Sequence, residues 1–126
     1  RISDSEIRLH CAIHRPDVVV VLDDTLITLP AVTEGIDHDT IFVIVGDHTD
    51  NGRGFSELPV DRFHVACLVY APKIVPPGRF DGVCSQIDLP PTLLGLLNWS
   101  YDTKFFGQDV MRHAPDRALL CNYLHD

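Results

Sequence analysis

Thr40-Ile41-Phe42-Val43-Ile44-Val45-Gly46-Asp47-His48 decides the fold class of this chain. Five consecutive β-branched or aromatic residues, Ile41 to Val45, predict a strand covered on both faces, the kind that lies inside parallel sheets. The run stops at a glycine, and an acid and an imidazole follow at once. In open α/β sheets, ligands bind outside the carboxyl ends of the strands. Asp47 and His48 therefore fall where a site is expected, and both side chains are good ligands for a divalent metal. Neighbouring residues of a strand point to opposite faces, so the two cannot share a ligand while still in the ladder. Gly46 lets the chain leave the strand and turn both toward one point. The competing reading makes Asp47 a cap for the next turn and His48 incidental.

Further apolar runs extend the pattern. Pro16 introduces Val18 to Leu22, a second strand closed by Asp23-Asp24-Thr25, and Val65 to Tyr70 is a third, ended by Ala71-Pro72. Cys67 falls in that third run and reads as a small core residue. Leu26 to Val32 is apolar but interrupted by Pro30, and Glu34 to Asp39 is an acidic turn. Asp50-Asn51-Gly52 and Gly54 supply turn chemistry to a loop from Thr49 to Leu58. Pro72 to Gly82 is a surface connection. Ser85 or Asp88 then caps a helix through Leu97, with Pro90 and Pro91 tolerated in its first turn. Leu89, Leu93, Leu94, Leu96 and Leu97 give that helix an apolar face to lay on the sheet, and Asn98 is its stop. Phe105-Phe106-Gly107 packs a turn, and Ala118 to Leu124 reads as a last strand. Buried strands with a covering helix make the class α/β.

At 126 residues the chain is one domain's worth, and its 45% apolar and 22% charged residues are ordinary for a soluble globular protein. The net charge of −8 argues against nucleic acid, which requires Lys and Arg clusters. No apolar stretch reaches the roughly eighteen residues of a membrane span. The chain opens Arg1-Ile2-Ser3-Asp4 without an initiator methionine or signal peptide, which marks it as an excerpt of something longer. Cys11, Cys67, Cys84 and Cys121 show no CxxC spacing, so a zinc knuckle is not expected.

Several polar residues carry weaker signals. His64, just before the third run, would start at the far end of a parallel strand from Asp47 unless the preceding loop folds back. Asp50 and Arg53 reach an anionic substrate or face water. Leu22-Asp23-Asp24-Thr25-Leu26 is similar to the nucleophile loop of haloacid-dehalogenase-type phosphatases, but Val21 stands where the nucleophilic aspartate belongs.

Four segments in order carry a larger resemblance: Thr40–His48 (TIFVIVGDH), Arg62–Pro72 (RFHVACLVYAP), Ser85–Leu97 (SQIDLPPTLLGLL) and Phe105–Asp109 (FFGQD). Together they resemble the sulfatase-like branch of the alkaline phosphatase superfamily, of the membrane phosphoglycerol transferase and lipoteichoic acid synthase type. The resemblance implies an alkaline-phosphatase-like α/β fold with a mainly parallel sheet flanked by helices. Residues 39–126 would be the C-terminal part of that domain, and residues 1–38 an N-terminal segment without an assignment. It implies metal-dependent hydrolysis or transfer of a phosphate or sulfate ester, with Asp47 and His48 holding a divalent ion (Mn, Mg, Zn or Ca) and His64 near the substrate. Asp23 and Asp24 would be further ligands if Arg15 to Asp24 is the opening sulfatase strand. The implied partner is an anionic ester, including lipid- or glycan-linked ones. The implied parent is membrane-anchored with an extracytoplasmic catalytic domain, this chain itself being soluble. No residue matches the family's nucleophile, so no catalytic residue is assigned, and the alternative is an inactive α/β remnant or interaction module.

Overall fold

The computed structural model describes residues 13–48, 63–112 and 116–119. Its sheet is built around the run that opens the sequence. Strand β1 spans Val18–Val21, β2 Ile41–Val45 and β3 Cys67–Tyr70, in the spatial order β1-β2-β3. β1 runs parallel to β2, Val18 opposite Ile41, whereas β3 runs antiparallel, Phe42 opposite Tyr70 and Val45 opposite Cys67. The α/β class is as expected. The sheet is mixed, with one parallel and one antiparallel pair among the described residues, rather than mainly parallel.

β2 is the core because it is the central strand and its side chains alternate. Ile41, Val43 and Val45 share one face and are buried, while Phe42 and Ile44 on the other are half-buried. Burying each of the two fully enclosed side chains, Ile41 and Val43, stabilises by about 1.5–3 kcal/mol. The expectation of a strand covered on both faces therefore holds for one face only. β3 is mostly exposed: Leu68 and Tyr70 show more than half their surface, and Cys67 is exposed rather than a core residue. An edge strand has a neighbour on one side alone, so its side chains gain less cover.

Between β1 and β2 the acidic segments shape the connection. Asp23 caps a short 3₁₀ turn, Asp24–Thr28, and a four-residue helix α1, Pro30–Thr33, follows with its proline in the first turn. Gly35 then turns the chain at φ 76°, and a Cβ there would run into the His14 carbonyl. Buried Thr40 pins the start of the sheet: its hydroxyl donates to the Pro16 carbonyl at 2.9 Å and accepts the Asp37 N–H at 3.1 Å.

The expected helix is present. A 3₁₀ turn, Gln86–Asp88, leads into α2, Leu89–Leu96. Ser85 and Asp88 form a reciprocal capping box at its entrance. At its exit Asn98 adopts φ 54°, with Asn98 N–H donating to Gly95 O at 3.0 Å and Trp99 N–H to Leu94 O at 3.1 Å. That is a Schellman ending, with asparagine in the left-handed position. The leucines are only half-buried, and the deepest residues of the helix are Pro91 and Thr92. The chain divides into two compact units, one of residues Arg1–Thr49 and His64–Pro76 and one of Asp50–Phe63 and Pro77–Asp126. The sheet belongs to the first and α2 to the second. The expected loop at Thr49 to Leu58, with Asp50 and Arg53, lies outside the described residues, as do Cys11, Cys121 and nearly all of the last expected strand, Ala118 to Leu124.

Candidate functional site

The carboxyl end of β2 is where the expected site residues stand. Gly46 extends the β3 pairing one step beyond the ladder, its N–H donating to Ala66 O at 3.1 Å. A Cβ at Gly46 would come 3.0 Å from a methyl of Val65, closer than side-chain carbons normally approach, so the neighbouring strand favours glycine there. Beyond it the chain leaves the sheet, and Asp47 and His48 are both exposed. The Asp47 carboxylate turns back on its neighbour: Oδ1 accepts the His48 N–H at 2.8 Å, and Oδ2 lies 3.5 Å from His48 Nε2. Carboxylate and imidazole thus face each other.

His64 is exposed, and the antiparallel course of β3 brings it to this same end of the sheet. The expectation that it would start at the far end assumed a parallel third strand. Continuing the β2–β3 register past Gly46 and Ala66 sets position 64 against position 48. Three polar side chains therefore share one rim of the sheet. Among the described residues, however, no group of three or more His, Cys, Asp or Glu is placed to hold a metal ion.

Asp23 has a local role. Its Oδ1 accepts the Thr25 N–H at 2.9 Å and the Thr25 hydroxyl at 2.6 Å, and the hydroxyl bond, then the backbone bond, lowers its pKa below the ordinary 3.8. It is the cap of the turn that ends β1.

A different carboxylate is the most heavily used, and no signal beyond the cap pattern pointed to it. Asp88 is 2% exposed. Its Oδ2 accepts the Ser85 N–H at 2.9 Å, its Oδ1 accepts the Gln108 N–H at 2.8 Å, and the Arg117 guanidinium lies 3.8 Å from Oδ1. Thr92, one turn on, donates its hydroxyl to Asp88 O at 2.6 Å and accepts the Val110 N–H at 3.1 Å. These two side chains tie the segment after α2 back to the helix entrance, so Asp88 is architectural. Burial, then the charge of Asp88, raises the pKa of the Cys84 thiol.

Comparison with known proteins changes the functional expectation. The chain is similar to the pyruvate synthase subunit PorC of Methanocaldococcus jannaschii, 32% identical over 101 residues, which cover 78% of this chain and 57% of that protein. It is also similar to the pyruvate synthase subunit PorC of Thermotoga maritima, 48% identical over 44 residues, 35% of this chain and 22% of that protein. No family model matches, and no solved structure does. A match covering 78% of the chain cannot avoid its middle, so it crosses the Asp47-His48 strand end wherever it begins.

These relatives overturn the sulfatase and phosphoglycerol transferase resemblance and the ester hydrolase or transferase activity drawn from it. The divalent ion does not stand either, because the relatives carry another name and no group of three or more donors is gathered among the described residues. With it go the anionic ester partner and the membrane-anchored, extracytoplasmic parent. No helix of the described residues is long and apolar enough to cross a membrane. The chain spans little more than half the length of the first of these relatives.

Proposed function

We propose that this chain is part of a subunit of a pyruvate synthase-type enzyme and works by assembling with companion subunits. The similarity to proteins of that one name in two organisms carries the reading. Its surface fits such a role. Leu68 and Tyr70 are 55% and 56% exposed, and large apolar side chains gathered at a surface mark places where another chain docks. The rim holding Asp47, His48 and His64 is the ligand-facing end of the sheet under this reading, by the general placement of sites in α/β folds.

Co-expression tests it. The full chain is produced with the other pyruvate synthase subunits encoded in the same genome, and the mixture is resolved by size exclusion. Stoichiometric co-elution is expected. Separate elution of this chain while the other subunits assemble refutes the reading.

A further inference from the structure

β1 lies at one edge of the sheet, and its outer side is open. The Ile41 N–H donates to Asp17 O at 2.9 Å, so the odd-numbered residues of this parallel pair carry the ladder. Backbone groups alternate in direction along a strand, which turns the N–H and C=O of Val18 and Val20 away from β2. Among the described residues no strand pairs with that side. The extended course runs on past Val21, because Asp23 still has φ −129° and ψ 117°. Leu22 therefore adds a further outward residue to the row.

Strand edges are normally blunted by a lysine, a proline, a bulge or a covering segment. Val18-Val19-Val20-Val21-Leu22 contains no charge and no proline. Its successive β-branched residues hold the strand extended before any partner arrives, so little conformational freedom is lost on pairing. Val20 and Leu22 are 41% and 54% exposed, which leaves apolar side chains beside the open backbone groups. Both ends of the row are acidic. Asp17 precedes it, Asp23 and Asp24 follow it, and all three are exposed. The nearby Arg15 is already bonded to Asp37 at 3.3 Å.

We infer that the β1 edge takes up, as an added strand, an extended segment of a companion subunit that is apolar in its middle and carries Lys or Arg at its ends. The open backbone groups specify the conformation, because a row of N–H and C=O groups is answered by another strand. The acids at both ends specify the charge, and the net charge of −8 acts in the same direction. That net charge works against a second copy of this chain, whose own β1 would bring the same acids to the seam. The inference rests on the subunit reading for the source of the segment, and on β1 alone for its conformation and charge.

The test uses the full chain and a fluorescein-labelled peptide, lysine-valine-threonine-valine-threonine-valine-lysine. One twin carries glutamates in place of the lysines, and another is N-methylated at two successive central residues, so that neither of its edges completes a ladder. Saturable anisotropy is expected for the lysine peptide and markedly weaker binding for both twins. Val20→Pro removes an outward N–H and leaves the β2 ladder whole, and should weaken the lysine peptide by about tenfold or more. Asp17→Lys combined with Asp24→Lys should reverse the preference between the lysine and glutamate peptides. Far-UV circular dichroism checks that each variant is folded; if Val20→Pro is not, the N-methylated twin and the lysine variant decide. No binding, equal binding of the three peptides, or indifference of the folded variants overturns the inference. So does a wild-type dimer in sedimentation that Val20→Pro abolishes, because the occupant would then be a second copy. Adding Val20→Pro to the co-expression experiment separates the two claims. If it assembles as well as the wild type does, the edge is wrong and the subunit reading stands. If the wild type does not assemble, the subunit reading falls and the peptides alone decide the edge.

Discussion

Removing the Asp88 carboxylate is the sharpest test of how the second unit is held together. Asp88→Ala takes away the acceptor of two backbone N–H groups, those of Ser85 and Gln108, and leaves the Arg117 guanidinium without its nearby carboxylate. A buried donor stripped of its partner costs about 1–3 kcal/mol. Both donors here are only part-buried, so water recovers some of that loss. The Ser85 bond is Asp88's half of the capping box, and its loss accounts for about 1 kcal/mol of the total. The expected destabilisation is about 2–4 kcal/mol, a large share of the roughly 5–15 kcal/mol that holds a domain folded.

The chain contains one tryptophan, Trp99, and it sits three residues past the end of α2 in the same unit as Asp88. Its fluorescence in a urea titration therefore reports the unit being perturbed. Asp88→Asn separates charge from geometry, since the amide keeps one acceptor oxygen but points a donor at the other N–H. It should fall between the wild type and the alanine variant. A Trp99 transition for Asp88→Ala within about 0.5 kcal/mol of the wild type, the size expected of an indifferent surface change, refutes the assignment of Asp88 as the anchor.

Other substitutions read other parts of the fold. Gly107→Ala drives a Cβ into the Ile87 carbonyl and should cost about 1–3 kcal/mol, whereas Gly46→Ala crowds a Val65 side-chain methyl and makes an ordinary contact with the His48 carbonyl, and should cost less than about 1 kcal/mol. Equal midpoints for the two in thermal melts would contradict the packing described. Asp37 is held below its ordinary pKa of 3.8, first by the Asp39 N–H and then by Arg15, so the folded state takes up its proton less readily than the unfolded. Its contribution is in place above 3.8 and lost as pH falls through the lower folded value, and Asp37→Asn should flatten the stability curve below 3.8 in acid titrations followed by circular dichroism. An unchanged acid slope argues against those bonds. The raised Cys84 pKa leaves less thiolate at a given pH, so its alkylation by iodoacetamide should lag a free cysteine peptide at pH 8. Mass spectrometry of the Cys84 peptide measures that rate, and a rate at or above the reference removes the effect.

What was legible in the sequence was local. The β-branched runs marked β1 and β2 because such side chains fit a pleated, covered strand wherever it lies. Ser85, Asp88, Pro90 and Asn98 marked the ends of α2, since caps and first-turn prolines act within a few residues. The direction of β3 was not legible. Its run would read alike parallel or antiparallel, and direction depends on the course of the connection from residue 46 to residue 67. That choice moved His64 to the rim of Asp47 and His48. Cys67 failed for a related reason: an apolar run does not say whether its strand is central or an edge, and exposure follows from that.

The family assignment failed at a further level. An apolar strand, a glycine and a polar pair is what an α/β sheet produces wherever a central strand ends at an open rim, and a capped, proline-started helix is similarly common. Those pieces describe how the chain folds, so finding several in order tests the architecture more than the chemistry. Chemistry depends on what side chains converge upon, and here the Asp47 carboxylate bonds its neighbour's N–H and faces that neighbour's imidazole. A metal reading needed a third ligand aimed at the same point; the described residues supply the rim but not the convergence. The best-anchored polar network instead lies around Asp88, where it ties the segment after α2 to the helix entrance. For a chain similar to proteins named as subunits, an open strand edge is the more informative feature, because a subunit's function depends on what its surface can hold.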